Sequence, residues 1–177
     1  MRIFLLLGIL LLSLSCKDDK KQSIASERLI VKLDSLSKEK IKVALKVLST
    51  DAEKNLENFD DFQNLRNLIT TMQNANPYYV HKYTDSLSLL MHTFKQNTPK
   101  DLAVNTIKSR TNILLTEKGL LSLLAEKKHP DPKKIMEANT RLIIAFNSLI
   151  TQLNELSLAI PENIEKELLR DPKNKEE

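Results

Sequence analysis

Glu126 and His129 stand three residues apart, the Glu-x-x-His spacing by which helical bundles offer two ligands to a di-iron centre. Such a centre needs a second pair and two further inward glutamates. The chain holds no second pair, so Glu126-Lys127-Lys128-His129 reads as a solvated helix end before Pro130. His81 and His92 share nearly one helical face but lie about 16 Å apart along it, too far to hold one metal ion. His81 with Asp85 at i+4 makes a simple surface pair. The neighbours Asp60 and Asp61 diverge by ~100° around a helix, which keeps them from facing each other as an acid–base dyad. Serines are plentiful, yet none sits in a nucleophile elbow and none has a cysteine–histidine partner set. No residue set nominates a catalyst, and no cofactor or metal is expected.

Polar residues on apolar stripes are the next candidates. Arg110 and Glu117 interrupt the stripe Ala103, Ile107, Leu114, Leu121 and Leu124, and Asn139 interrupts a similar one. Buried polar groups must find partners, so these three either form an internal network that sets register or line a ligand groove. Tyr78, Tyr79 and Tyr83 cluster where a helix is expected to begin, an arrangement that closes a bundle end or serves an interface.

The elements that must position these residues are helical. Only two glycines occur, Gly8 and Gly119, too few for phosphate loops or dinucleotide fingerprints. No sustained apolar–polar alternation favours a sheet. Asn76-Pro77, Thr98-Pro99 and Asp131-Pro132 each pair an N-cap with proline at the first helical position, and Thr50-Asp51-Ala52-Glu53 has the form of a capping box.

Apolar spacing of three and four between these marks predicts helices at 26–49, 51–74, 77–96, 99–128 and 132–159, with a short sixth at 162–170 after Pro161. The first would carry Leu29, Leu33, Leu36, Val43 and Val47, and the second Leu56, Phe59, Phe62, Leu65, Ile69 and Met72. The third has Val80, Tyr83, Leu87, Leu90 and Phe94. Added apolar residues at Ile113, Leu115, Leu120, Ile143 and Ile144 would place the fourth and fifth nearest the centre. The first two helices are either separate or one kinked rod, and a single rod of about 70 Å would outrun its partners, which favours a break at Ser49-Thr50. The expected fold class is all-α: an antiparallel up-and-down bundle of four to five long helices over 26–170, followed by a disordered tail at 171–177. Varied core residues favour a monomeric bundle over a coiled-coil oligomer.

Cys16 is the only cysteine, and it stands directly behind Ile3 to Leu12, an apolar run of signal-peptide length but too short to span a bilayer. Ser13 and Ser15 supply small residues before it. This segment resembles a bacterial lipoprotein signal, in which the cysteine thiolate accepts diacylglycerol and cleavage follows just before it. Ser13 holds the place where the usual lipobox has leucine, with Leu12 one residue earlier. Lys17-Asp18-Asp19-Lys20 looks like the lysine-plus-acidic-pair signal that sends some outer-membrane lipoproteins to the cell surface. The resemblance implies a signal peptide at 1–15, lipidated Cys16, a tether at 16–25, and an envelope location at the outer membrane, either surface-exposed or on its periplasmic face.

Lys and Arg number 27 against 23 Asp and Glu, giving a net charge of +4 that falls to +3 once Arg2 is removed with residues 1–15. Mixed charge of this size lacks a nucleic-acid footprint. The membrane, through lipid on Cys16, and an unidentified protein or envelope component are therefore the expected partners. The expected role is a non-catalytic binding or scaffold module, and the alternative is a small-ligand or metal carrier or sensor with its site in the bundle core. Lys127, Lys128, Lys133 and Lys134 crowd around His129-Pro130-Asp131-Pro132. In a five-helix up-and-down order this loop shares an end with the tether, which makes it the candidate contact with an anionic surface.

Overall fold

The computed structural model describes residues 33–158. They form an all-α bundle of five helices: α1 Thr50–Leu56, α2 Asp60–Gln73, α3 Pro77–Gln96, α4 Asn105–Ala125 and α5 Pro132–Leu158. Residues 33–49, which precede α1, are not helical and form a strap along the bundle. The expected signal peptide, lipidated Cys16, tether, sixth helix and tail all lie outside the described residues.

Side-chain bonds define the path. Asn76 reaches Ser35 and Ser37, Gln73 reaches Val43, and Arg66 reaches Glu53, so strap and α1 together run antiparallel to α2. Asn147 meets the strap at 44–46 and Asn154 meets it at 47–49, so the strap runs parallel to α5. The chain thus enters at the end that holds the α2–α3 turn and the α4–α5 loop, called the near end below. Helix α5 packs against α1, α2, α3 and α4 and is the centre of the bundle.

Core and caps follow the sequence closely in the middle of the chain. Phe62, Leu65, Ile69 and Met72 of α2, Val80 and Leu87 of α3, Leu114 and Leu121 of α4, and Leu142 and Leu149 of α5 are all fully buried. Phe62 ties two layers together, its ring 6.4 Å from those of both Phe94 and Phe146. Asn76 Oδ1 accepts from Tyr79 N at 3.2 Å with Pro77 first in α3. Asp131 Oδ1 accepts from the N–H groups of Lys133 and Lys134 at 3.0 and 3.4 Å, capping α5.

Five expectations are corrected. The helix at 26–49 does not exist over 33–49, and two of its core positions, Leu36 and Val47, are 84 and 83% exposed. Ile41, Val43 and Leu45 face the bundle instead, alternating with exposed Lys42, Ala44 and Lys46 in the period of an extended chain. Side-chain amides from α2 and α5 supply the partners that helical bonds would have given these backbone groups. An extended residue also advances ~3.3 Å against 1.5 Å in a helix, so the strap covers more than twice the length per residue.

The expected helix at 51–74 is two helices, because the chain reverses at 57–59 and not at Ser49-Thr50. Ser49, not Thr50, caps α1: its hydroxyl accepts from Ala52 N at 3.2 Å, while Glu53 turns away to Arg66. Helix α4 starts at Asn105, six residues later than expected. The Thr98 hydroxyl bonds back to the Phe94 carbonyl instead of capping forward, and a turn closed by Leu102 N on Pro99 O puts Leu102 into the core. Finally, α5 is central but α4 is not, since α4 packs chiefly against α5 and α3, and of the added apolar residues Ile113, Leu120 and Ile144 face solvent.

Candidate functional site

Two asparagines of α5 hold the strap by its backbone. Asn147 donates from Nδ2 to the Ala44 carbonyl and accepts at Oδ1 from Lys46 N, both at 2.8 Å. Asn154 donates to the Val47 carbonyl at 3.1 Å and accepts from Ser49 N at 2.8 Å. Between them Thr151 Oγ1 accepts from Lys46 Nζ at 2.8 Å. The far wall is α2, where Gln73 Nε2 donates to the Val43 carbonyl at 3.0 Å. Leu45 and Leu48, each enclosed by one amide clamp, pack on the core. The arrangement binds an extended chain, reading backbone through amides and apolar side chains through shape.

The strap leaves a trough of about 450 Å3 between itself and α4, with α5 as its floor. Lys46 and Arg110 flank it, and Ile144, Ser148 and Gln152 line it. Arg110 is therefore not buried in a network. Glu117 pairs with Arg141 at 3.0 Å on the surface, and Asn139 alone of the three polar interruptions is fully buried. Its Nδ2 donates to the Met72 carbonyl at 2.9 Å, while its Oδ1 has no partner among the described residues.

Lys127, Lys128, Lys133 and Lys134 are all exposed and lie at the near end, where the chain enters. The tyrosines share that end. Tyr78 and Tyr79 meet edge to face with centroids 5.2 Å apart, and the Lys82 ammonium lies 4.9 Å from the Tyr78 ring. The hydrogen bond and charge of Tyr78 hold the Lys82 pKa above its ordinary value.

The other sequence candidates stay apart. His81 and His92 occupy separate turns of α3, and Glu126 and His129 are exposed beyond the end of α4. Asp61 serves the fold, since its carboxylate accepts from Asn97 Nδ2 at 2.7 Å and ties the start of α2 to the end of α3. Among the described residues no three His, Cys, Asp or Glu side chains converge on a metal position, and no helix is long and apolar enough to cross a membrane.

Helix α4 carries apolar residues on its outer side as well. Ile113, Leu120 and Leu123 fall within ~80° of one another around the helix and all face solvent, Leu123 at 64% exposure. The apolar pattern of the sequence assigns Ile113 and Leu120 to the core, and the fold does not. Asn147 and Asn154 carry no local signal beyond being two amides seven residues apart on the longest helix, and sequence reasoning misses them. No protein-family model matches this chain, and neither a curated protein nor a solved structure is detectably similar to it.

Proposed function

We propose that this chain is a lipid-anchored, non-catalytic binding or scaffold module of a bacterial outer membrane, exposed at the cell surface. Anchoring rests on Cys16 and its lipobox-like surroundings. Binding rests on one observation: α4 turns Ile113, Leu120 and Leu123 to solvent on a single face of a helix whose opposite face is already buried in the core. Apolar residues scattered singly are ordinary on a surface, but a row along one helix is the form of a protein contact. The near-end lysines fit an anionic surface beneath the bundle, with the α4 face turned sideways to a protein or envelope partner.

Fractionation of cells expressing Cys16→Ala tests the anchor. Release into the soluble fraction, with loss of the lipid mass on residue 16, is the expected result; a variant bound as tightly as its parent rejects the lipoprotein reading. Affinity purification of the lipidated protein from its own cells tests the module. A partner retained by the parent and lost from Leu120→Glu/Leu123→Glu, with helical content unchanged, supports it. Equal retention removes α4 as the contact.

A further inference from the structure

We propose that the strap is an exchangeable ligand of the groove between α2 and α5, and that a second copy of this chain supplies residues 41–48 in trans to form a strap-exchanged dimer. The proposal goes beyond the anchoring and binding reading and does not depend on it.

The groove is built to a register. Asn147 and Asn154 are seven residues apart, about 10.5 Å along a helix. The carbonyls they hold, Ala44 and Val47, are three residues apart, about 10 Å in an extended chain. The N–H groups they hold, Lys46 and Ser49, repeat the same step. Two helical turns thus match three extended residues, and each amide meets a carbonyl and an N–H without distortion. A side chain that reads backbone in this way recognises an extended segment as such, while the packing of Leu45 and Leu48 on the core and the Lys46–Thr151 bond select this one.

The strap is also held as a ligand is held. Among the described residues, every hydrogen bond made by residues 40–48 goes to Gln73, Asn147, Thr151 or Asn154, and none joins the segment to itself. Lifting residues 40–48 therefore breaks contacts with the groove but no bond within that stretch, and the helices need not unthread, because the stretch precedes them and pivots at Ser49, whose hydroxyl and carbonyl stay with α1. An emptied groove would expose the clamp amides and a strip of core. The segment that fits this groove in sequence and register is the one every copy carries. Cis occupancy prevails in dilute solution, where the tethered strap has the higher effective concentration, and exchange rises with protein concentration.

Thiol crosslinking of full-length chains tests the exchange. Both chains carry Cys16→Ser; one carries Lys46→Cys and the other, lengthened by a size tag, Thr151→Cys. The mixture is incubated at high concentration and treated with a short thiol-to-thiol crosslinker. A mixed-size 46-to-151 adduct several-fold above a control pairing of Lys46→Cys with Leu89→Cys, an exposed position on α3, is the expected result. The adduct should grow with concentration and disappear when Leu45→Asp/Leu48→Asp is added to the strap donor. A single chain with both Lys46→Cys and Thr151→Cys, crosslinked internally, shows that the variants fold with the strap in place. An intermolecular yield equal to the Leu89→Cys control overturns the proposal.

Discussion

Asn154 of α5 accepts a 2.8 Å hydrogen bond from the backbone N–H of Ser49, and the hydroxyl of that same Ser49 caps α1. One side chain therefore fixes both the end of the strap and the start of the helix that follows. Asn154→Ala leaves the Val47 carbonyl and the Ser49 N–H without protein partners and frees the cap from its support. We expect a loss of about 1–2 kcal/mol in urea unfolding, since the Ser49 N–H is half-buried while the Val47 carbonyl can turn to water. Amide exchange should locate the damage: Ser49 N–H and Lys46 N–H speed up well before those of α5.

Asn139 behaves in the opposite way. It is fully buried, yet only its Nδ2 has a partner, and that partner, the Met72 carbonyl, also accepts from Ala75 N. Removing the amide thus leaves no orphan behind and deletes one. Asn139→Leu should change stability by less than about 1.5 kcal/mol, as a swap of similar volume does in a core. Phe146→Ala, between the same layers, should cost about 3–5 kcal/mol. Thermal or chemical unfolding of the pair checks both, and a large loss for Asn139→Leu would show that Asn139 sets the register of α5 against α2.

The contrast between these asparagines shows what is legible in the sequence. Helices α2, α3 and α5 are legible because their apolar positions repeat cleanly and prolines and caps bound them. The strap is not, because Ile41, Leu45 and Leu48 share a helical face as readily as Ile41, Val43 and Leu45 share the face of an extended chain. What decides between the two is tertiary: Gln73, Asn147 and Asn154 offer the strap's backbone its partners, and they lie 30 to 107 residues away in sequence. The same holds for α4, whose outer apolar row has no local signal to distinguish a second buried face from an exposed one. Of the candidate site, the place of the lysine loop beside the chain entry follows from the number of alternating passes, although the first pass is the strap with α1 and not one helix. The amide clamps require the fold.

The Arg66–Glu53 pair gives a pH dependence of known sign. Arg66 Nη1 lies 2.6 Å from Glu53 Oε2, joining α2 to α1, and its hydrogen bond holds the Glu53 carboxyl below its ordinary pKa. The folded state then takes up this proton less readily than the unfolded chain. The pair's contribution is complete above the ordinary glutamate range and fades as pH falls through the lowered folded value. Both groups are substantially exposed, so the contribution is under about 1 kcal/mol. Urea midpoints of parent and Glu53→Gln should differ at neutral pH and converge in acid. A constant gap across the titration would assign the effect to packing.

The near-end lysines make the last prediction. Lys127 and Lys128 follow the C-terminal end of α4, where positive charge suits the helix dipole, whereas Lys133 and Lys134 open α5, where it opposes the dipole at a small local cost. Four cations within eight positions therefore gain little from local helix electrostatics as a set. They lie at the end where the strap, and with it the chain leading back to Cys16, enters the bundle. If that end faces anionic headgroups, each lysine near the surface contributes at most about 1 kcal/mol, and salt screens the attraction. Full-length chain carrying Cys16→Ser, which removes any lipid contribution, should bind anionic vesicles more tightly than neutral ones and lose that preference as salt rises. Changing all four lysines to glutamine should weaken anionic-vesicle binding by about tenfold or more. Equal binding by parent and variant would leave Cys16 as the proposed membrane contact and the loop as a solvated turn.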